Sequence, residues 1–88
     1  MQYNVVWKIR AIKQLTKIHV KEHKRIHDEV KKLEDSETWH NVKKLTNHKY
    51  DYRLRVGDYR VLFNVNENGI EIDEVSIEEV KKRDERTY

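Results

Sequence analysis

Apolar positions along the chain follow two periods. They alternate with polar ones up to residue 7 and again from Tyr50 onward, and between residues 9 and 33 they recur at helical spacing. In the opening segment Tyr3, Val5 and Trp7 share a face at period two, which predicts a short first strand over residues 2–7. Ile12, Leu15 and Ile18 then mark one amphipathic stripe, and Ile26, Val30 and Leu33 a second. One continuous helix would place His19, Glu22 and His23 in the apolar stripe between them, so a break near residues 19–22 and a helical hairpin are predicted. Residues 34–41 are polar turn formers around one tryptophan and read as a loop anchored by Trp39.

The second half reads as strands. Tyr50, Tyr52, Leu54 and Val56 alternate with Asp51, Arg53 and Arg55, Gly57 and Asp58 make a two-residue turn, and Tyr59 to Val65 is β-branched or aromatic. Asn66 to Gly69 predict a second tight turn. Ile70, Ile72, Val75 and Ile77 supply a further strand, with a bulge where the spacing changes from two to three. The expected fold is α+β, an N-terminal strand and helical hairpin packed on a mainly antiparallel four-stranded sheet. Its helices would lie on one face and leave the other partly open.

Length and composition narrow this further. Eighty-eight residues hold one core, so residues 1–88 are expected to form a single domain, and with 36% hydrophobic and 40% charged residues that core is thin. There is no cysteine, which removes disulfides, thiol nucleophiles and thiolate metal sites together. The opening segment lacks the apolar stretch of a signal peptide and no run is long enough to span a bilayer, so a cytoplasmic protein without a membrane partner is expected.

The net charge of +3 conceals a segregation. Residues 40–60 carry six basic and two acidic side chains, residues 61–80 none and six, and residues 81–88 four and two. Alternation places Arg53 and Arg55 on the strand face opposite Tyr52, Leu54 and Val56, and the turn brings Arg60 near one of them. Like charges across a strand pair repel, and a polyanion such as a phosphate backbone is the simplest reason to keep them together. The alternative is that Asp51, Asp58 and the acidic block neutralise these arginines as ordinary salt bridges. The tail KKRDERTY adds Lys82, Arg83 and a terminal Tyr88, suited to phosphate contacts and to stacking or proton transfer.

His19, His23 and His27 recur every fourth residue, yet without a third-ligand pattern they read as a polar helix face, and no metal or cofactor is expected. His48, just before the arginine strand, is a candidate acid or base. Glu78 and Glu79 read as charge balance for the basic patch.

The run NVKKLTNHKYDYRLRVGDYRVLFNV followed by VKKRDERTY resembles the RelE toxins of bacterial toxin–antitoxin pairs, within the RelE/ParE superfamily of microbial RNase-like fold. The resemblance covers essentially the whole chain. Its most specific part is the Leu-Arg-x-Gly-Asp-Tyr-Arg hairpin of residues 54–60, and the tail separates RelE-like from ParE-like members.

The resemblance implies a messenger-RNA endonuclease, a type II toxin that cuts codons in the ribosomal A site and inhibits translation. Its expected partners are the ribosome with its message and a RelB-like antitoxin, with operator DNA reached only through the antitoxin complex. Arg60, Arg83 and Tyr88 match the family's catalytic positions, and Arg53 its strand lysine or arginine. A further basic position before this strand falls to Lys44 or Lys49, and Arg55 and Lys82 would add RNA contacts. Asp51 stands where some members carry lysine.

Cleavage by the 2′-OH needs stabilisation of a phosphorane-like transition state, which arginines supply as preorganised charge. Arg60 and Arg53 would clamp the scissile phosphate and Arg83 would stabilise charge or help the leaving group. Tyr88 would accept a proton or stack under the nucleotide. A ParE-like gyrase inhibitor and a non-catalytic RNA-binding module are the competing readings, and the Arg83 and Tyr88 pair favours the nuclease over the first.

Overall fold

The computed structural model describes residues 2–67 and 73–82. Strand β1, Tyr3–Trp7, packs Tyr3, Val5 and Trp7 against the core, as the alternation requires. Helix α1, Ile9–Thr16, buries Ala11 and Leu15, and α2, Val20–Lys31, buries Ile26 and Val30. The break between them falls at residues 17–19, slightly before the expected position. The N–H groups of Lys17 and Ile18 close α1 on the carbonyls of Gln14 and Leu15 respectively, and His19 caps α2 by accepting the N–H of Lys21 at 3.3 Å.

The expected loop after α2 is two short 3₁₀ turns, Lys32–Glu34 and Ser36–Thr38, and Trp39 does anchor it. The indole N–H donates to the Leu33 carbonyl at 2.9 Å. Its ring stacks on Tyr3 at 5.3 Å and meets Tyr52 and Phe63 edge-on, each at 5.6 Å.

Three strands follow: β2, Val42–Lys44, β3, Tyr52–Val56, and β4, Tyr59–Asn66. The hairpin between β3 and β4 turns at Gly57, whose φ of +56° is open to glycine at no steric cost. Strand β5, Asp73–Lys82, completes the sheet. Gly69, Ile70 and Ile72 of the expected second turn and last strand lie outside the described residues.

Among the described residues the sheet has five strands in the order β1-β5-β4-β3-β2, one more than expected. The addition is β2, three residues along the far edge of β3. All neighbours are antiparallel except β1, which runs parallel to β5 and pairs Tyr3 with Asp73 through Trp7 with Ile77. A bulge lies in β5 at Glu78, because Phe63 pairs with Ile77 while Leu62 pairs with Glu79.

The core sits between the helices and one sheet face. Leu54, Val56, Val61, Phe63, Val75, Ile77 and Val80 meet Ala11, Leu15, Ile26, Val30 and Leu33 there. Intervening strand residues therefore project from the opposite face.

Candidate nucleic-acid interface

Pairing across the sheet orders that opposite face into rows. Arg55 lies directly across from Arg60, and Arg60 directly across from Lys81. The adjacent row runs Lys43, Arg53, Leu62, Glu79. Neighbouring strands are about 4.8 Å apart and alternate residues on one strand about 6.7 Å, so five cations share a patch of roughly 15 by 7 Å. Like charges directly opposite one another on neighbouring strands disfavour folding.

The hairpin supplies this arrangement directly. The two-residue turn at Gly57 and Asp58 makes Val56 and Tyr59 the first cross-strand pair and Arg55 and Arg60 the second. The parity that buries Leu54 and Val56 thus exposes Arg53 and Arg55 to the other side.

The row's acidic end is built differently. Glu79 is buried at 8% exposure, and both its oxygens are occupied. Tyr50 donates its hydroxyl proton to Oε2 at 2.6 Å and Gln14 donates from Nε2 to Oε1 at 3.1 Å. Lys81 stands 3.8 Å away. Burial alone would push the Glu79 carboxyl up, but the hydrogen bonds from Tyr50 and Gln14, with the positive charges of Lys81 and Arg10, bring it below the ordinary glutamate value. The same bond to Glu79 raises the Tyr50 hydroxyl, and burial adds to the rise, so this tyrosine is a proton donor in place and not a base. Glu78 is occupied as well, accepting the Ser76 hydroxyl.

The structure brings Arg53, Arg55 and Arg60 together and settles the register, with Arg55 opposite Arg60. Of the two candidates before the strand, Lys44 pairs with Tyr52 on the core-side parity, and its neighbour Lys43 takes the place opposite Arg53. Lys49 projects from the loop between β2 and β3, its Nζ 5.5 Å from the centre of the Tyr50 ring. His48 is beside it, and its Nδ1 accepts the Tyr50 N–H at 3.1 Å.

Lys82 pairs with Tyr59 and so has the wrong parity for the cationic row, where Lys81 stands. Arg83 and Tyr88 lie outside the described residues. Asp51, read as a salt-bridge candidate, accepts the backbone N–H of Val65 at 3.3 Å. The residues that sequence reasoning passed over are Lys43 and Lys81, and Gln14 on α1, which accepts the N–H of Val80 at 2.6 Å. Of the three histidines spaced by four, His19 caps α2 and His27 stacks on Trp7 at 6.3 Å. Among the described residues no group of three or more His, Cys, Asp or Glu could hold an ion.

Fold and face together define a class, a small α+β protein whose sheet turns one side to a helical hairpin and presents arginine and lysine rows on the other. Two solved structures place the chain more closely. It is similar to a chain of the toxin–antitoxin complex RelBE2 of Mycobacterium tuberculosis, with 20% identity and a TM-score of 0.74 over 94% of this chain and 100% of that one. It is also similar to a chain of the archaeal RelE–RelB complex of Pyrococcus horikoshii OT3, with 27% identity and a TM-score of 0.71 over 97% and 99%. No protein-family model matches the chain, and no curated protein does. The RelE resemblance read from the sequence is therefore also the likeness the structure shows, over nearly the full length of both neighbours.

Proposed function

We propose that this chain is the toxin of a type II toxin–antitoxin pair and acts as a ribosome-dependent endoribonuclease, cutting messenger RNA in the A site. The observation that carries the reading is the Arg55, Arg60 and Lys81 row beside Arg53 and Lys43, on the face away from the core of a RelE-like fold.

In this reading the nucleophile belongs to the RNA. The 2′-oxygen loses its proton and bonds to the adjacent phosphorus, the bond to the 5′-oxygen breaks, and that oxygen takes up a proton, leaving a 2′,3′-cyclic phosphate and a 5′-hydroxyl. The chain supplies charge to the phosphorane-like transition state. Arg60 and Arg53 clamp the non-bridging oxygens, Arg83 stabilises charge at the leaving oxygen, and Tyr88 accepts a proton or stacks on the nucleotide. His48 is the reserve acid or base, and with Nδ1 accepting the Tyr50 N–H its Nε2 carries the neutral ring's proton and is a hydrogen-bond donor. Lys49, Arg55, Lys43 and Lys81 add RNA contacts around this centre, whereas Lys44 and Lys82, paired with Tyr52 and Tyr59, have the opposite parity. The ribosome completes the site by positioning the message, which makes free RNA a poor substrate.

The partner is a RelB-like antitoxin, supported by the toxin–antitoxin and RelE–RelB complexes in which the two similar structures were determined. Operator DNA is reached through that complex. The site of action is the cytoplasm, and none of the helices among the described residues is long and apolar enough to cross a membrane.

The test is primer extension on a defined message in a reconstituted translation system, with naked RNA as control. Cuts within A-site codons that require ribosomes, and that fall about 10²–10³-fold for Arg60→Ala as for removal of one transition-state donor, support the reading. An intact message with translation unaffected overturns it and turns attention to gyrase supercoiling.

A further inference from the structure

The loop between β2 and β3 is held in place by more than its length requires. Leu45 donates its N–H to the Asp51 carbonyl at 2.8 Å, closing the loop at its base. Asp51 is fixed to β4, since its N–H donates to Asn64 Oδ1 at 2.8 Å and its Oδ2 accepts from Val65. Asn47 reverses the chain at a φ of +52°, which asparagine tolerates. Those contacts would suffice to close a surface turn.

A second set of bonds pulls the loop over the sheet. Tyr50 is buried at 6% exposure, apart from the main core, and its hydroxyl reaches past β4 to Glu79 on β5. Leu62, which pairs with Glu79, is 5% exposed although it projects from the side away from the core. Glu79 is held in turn by Gln14, whose other end is fixed to the backbone of Val80. A relay thus runs from α1 through Glu79 to Tyr50 and ends at the loop tip. There the Tyr50 N–H is tied to His48 and the Tyr50 ring lies under Lys49.

Stability alone does not account for this choice. A buried carboxylate loses hydration, and an apolar pair of similar size would hold the same two segments at no such cost. What a fully satisfied polar relay adds is one geometry. A phenol hydrogen-bonded to a carboxylate also has a more electron-rich ring, which strengthens its attraction for an ammonium. With both oxygens taken, Glu79 is poorly placed to receive a proton from RNA.

We propose that Glu79 and Tyr50 form a clasp that positions Lys49 over the edge of the cationic face for binding the RNA backbone, so that Glu79 and Tyr50 are positioning residues and Lys49 a phosphate contact. The inference rests on the RNA-cleaving reading above, in which Lys49 is already an RNA contact, and adds to it the two residues that position that lysine.

The experiment is a double-mutant cycle on the full chain, with steady-state cleavage of message on ribosome complexes for wild type, Tyr50→Phe, Lys49→Ala and the double variant. Tyr50→Phe is expected to raise KM about two- to fivefold with kcat within twofold, the range of one cation–π contact, and Lys49→Ala at least as much. The double variant is expected to match Lys49→Ala alone, because without the lysine the clasp has nothing to place. Multiplying effects, or a wild-type KM for Tyr50→Phe, overturn the proposal. If Tyr50→Phe folds poorly, Glu79→Gln enters the same cycle with the same two outcomes. A wild-type chain that neither binds nor cuts message on ribosomes overturns the RNA-cleaving reading and this inference with it, whereas an active wild type with an additive cycle overturns this inference alone.

Discussion

Arg55 and Arg60 are register partners across the hairpin, and like charges directly opposite one another on a strand pair disfavour folding. Replacing Arg55 with threonine removes the repulsion and puts a β-branched residue in a strand, so Arg55→Thr is expected to stabilise the protein by about 0.2–1 kcal/mol. Denaturant titration checks this, and a loss of stability would show that the guanidinium is better paired than its register suggests. Glu79 gives the complementary case. Its folded pKa is lowered, so its contribution to stability is complete above the ordinary glutamate value of about 4.3 and is lost as pH falls through the lowered value. Glu79→Gln is therefore expected to flatten the acid side of the stability profile while leaving the region above pH 6 without a new slope. Melting temperatures from pH 3 to 7 decide the matter, and an unchanged acid limb would mean that other carboxylates govern it.

At the level of elements, Gly57 joins the two arginine-bearing strands, and its replacement tests how the hairpin is made. A Cβ there would stand 3.0 Å from Arg25 Nη1 and the backbone would remain at a φ of +56°. Gly57→Ala is expected to cost about 1–2 kcal/mol by the left-handed conformation alone, and Gly57→Asn less, as read from denaturant midpoints. The hairpin was legible because alternation, turn residues and β-branched composition agreed across residues 50–65. Strand β2 was not, since three residues with one valine carry no alternation. The parallel pairing of β1 with β5 was not either, because a period of two marks a strand but not its neighbour.

The bulge at Glu78 explains a subtler difference. Continued alternation from Val75 and Ile77 would send residue 79 to the core and residues 80 and 82 outward. One extra residue reverses this, burying Val80 and turning Glu79 and Lys81 to the cationic face. Lys81 and not Lys82 therefore completes the row, and the glutamate read as charge balance is a buried acceptor for two side chains.

For the whole molecule the question is whether net charge or its placement governs binding. A net charge of +3 spread over the surface would attract RNA weakly and from any side, whereas the rows gather Lys43, Arg53, Arg55, Arg60 and Lys81 on one face. The two cases separate in the salt dependence of binding to a short single-stranded RNA. Each phosphate neutralised by the protein releases condensed counterion, so removing one contacting cation lowers the slope of log K against log salt by about 0.7. Lys81→Gln is expected to show that decrease. Lys24→Gln removes the same charge from the exposed side of α2, outside the rows, and is expected to leave the slope unchanged. Equal decreases for the two variants would mean that RNA senses only the net charge, and the arginine rows would then lose their standing as the binding face. A decrease confined to Lys81→Gln would place phosphate on the row that the bulge in β5 completes.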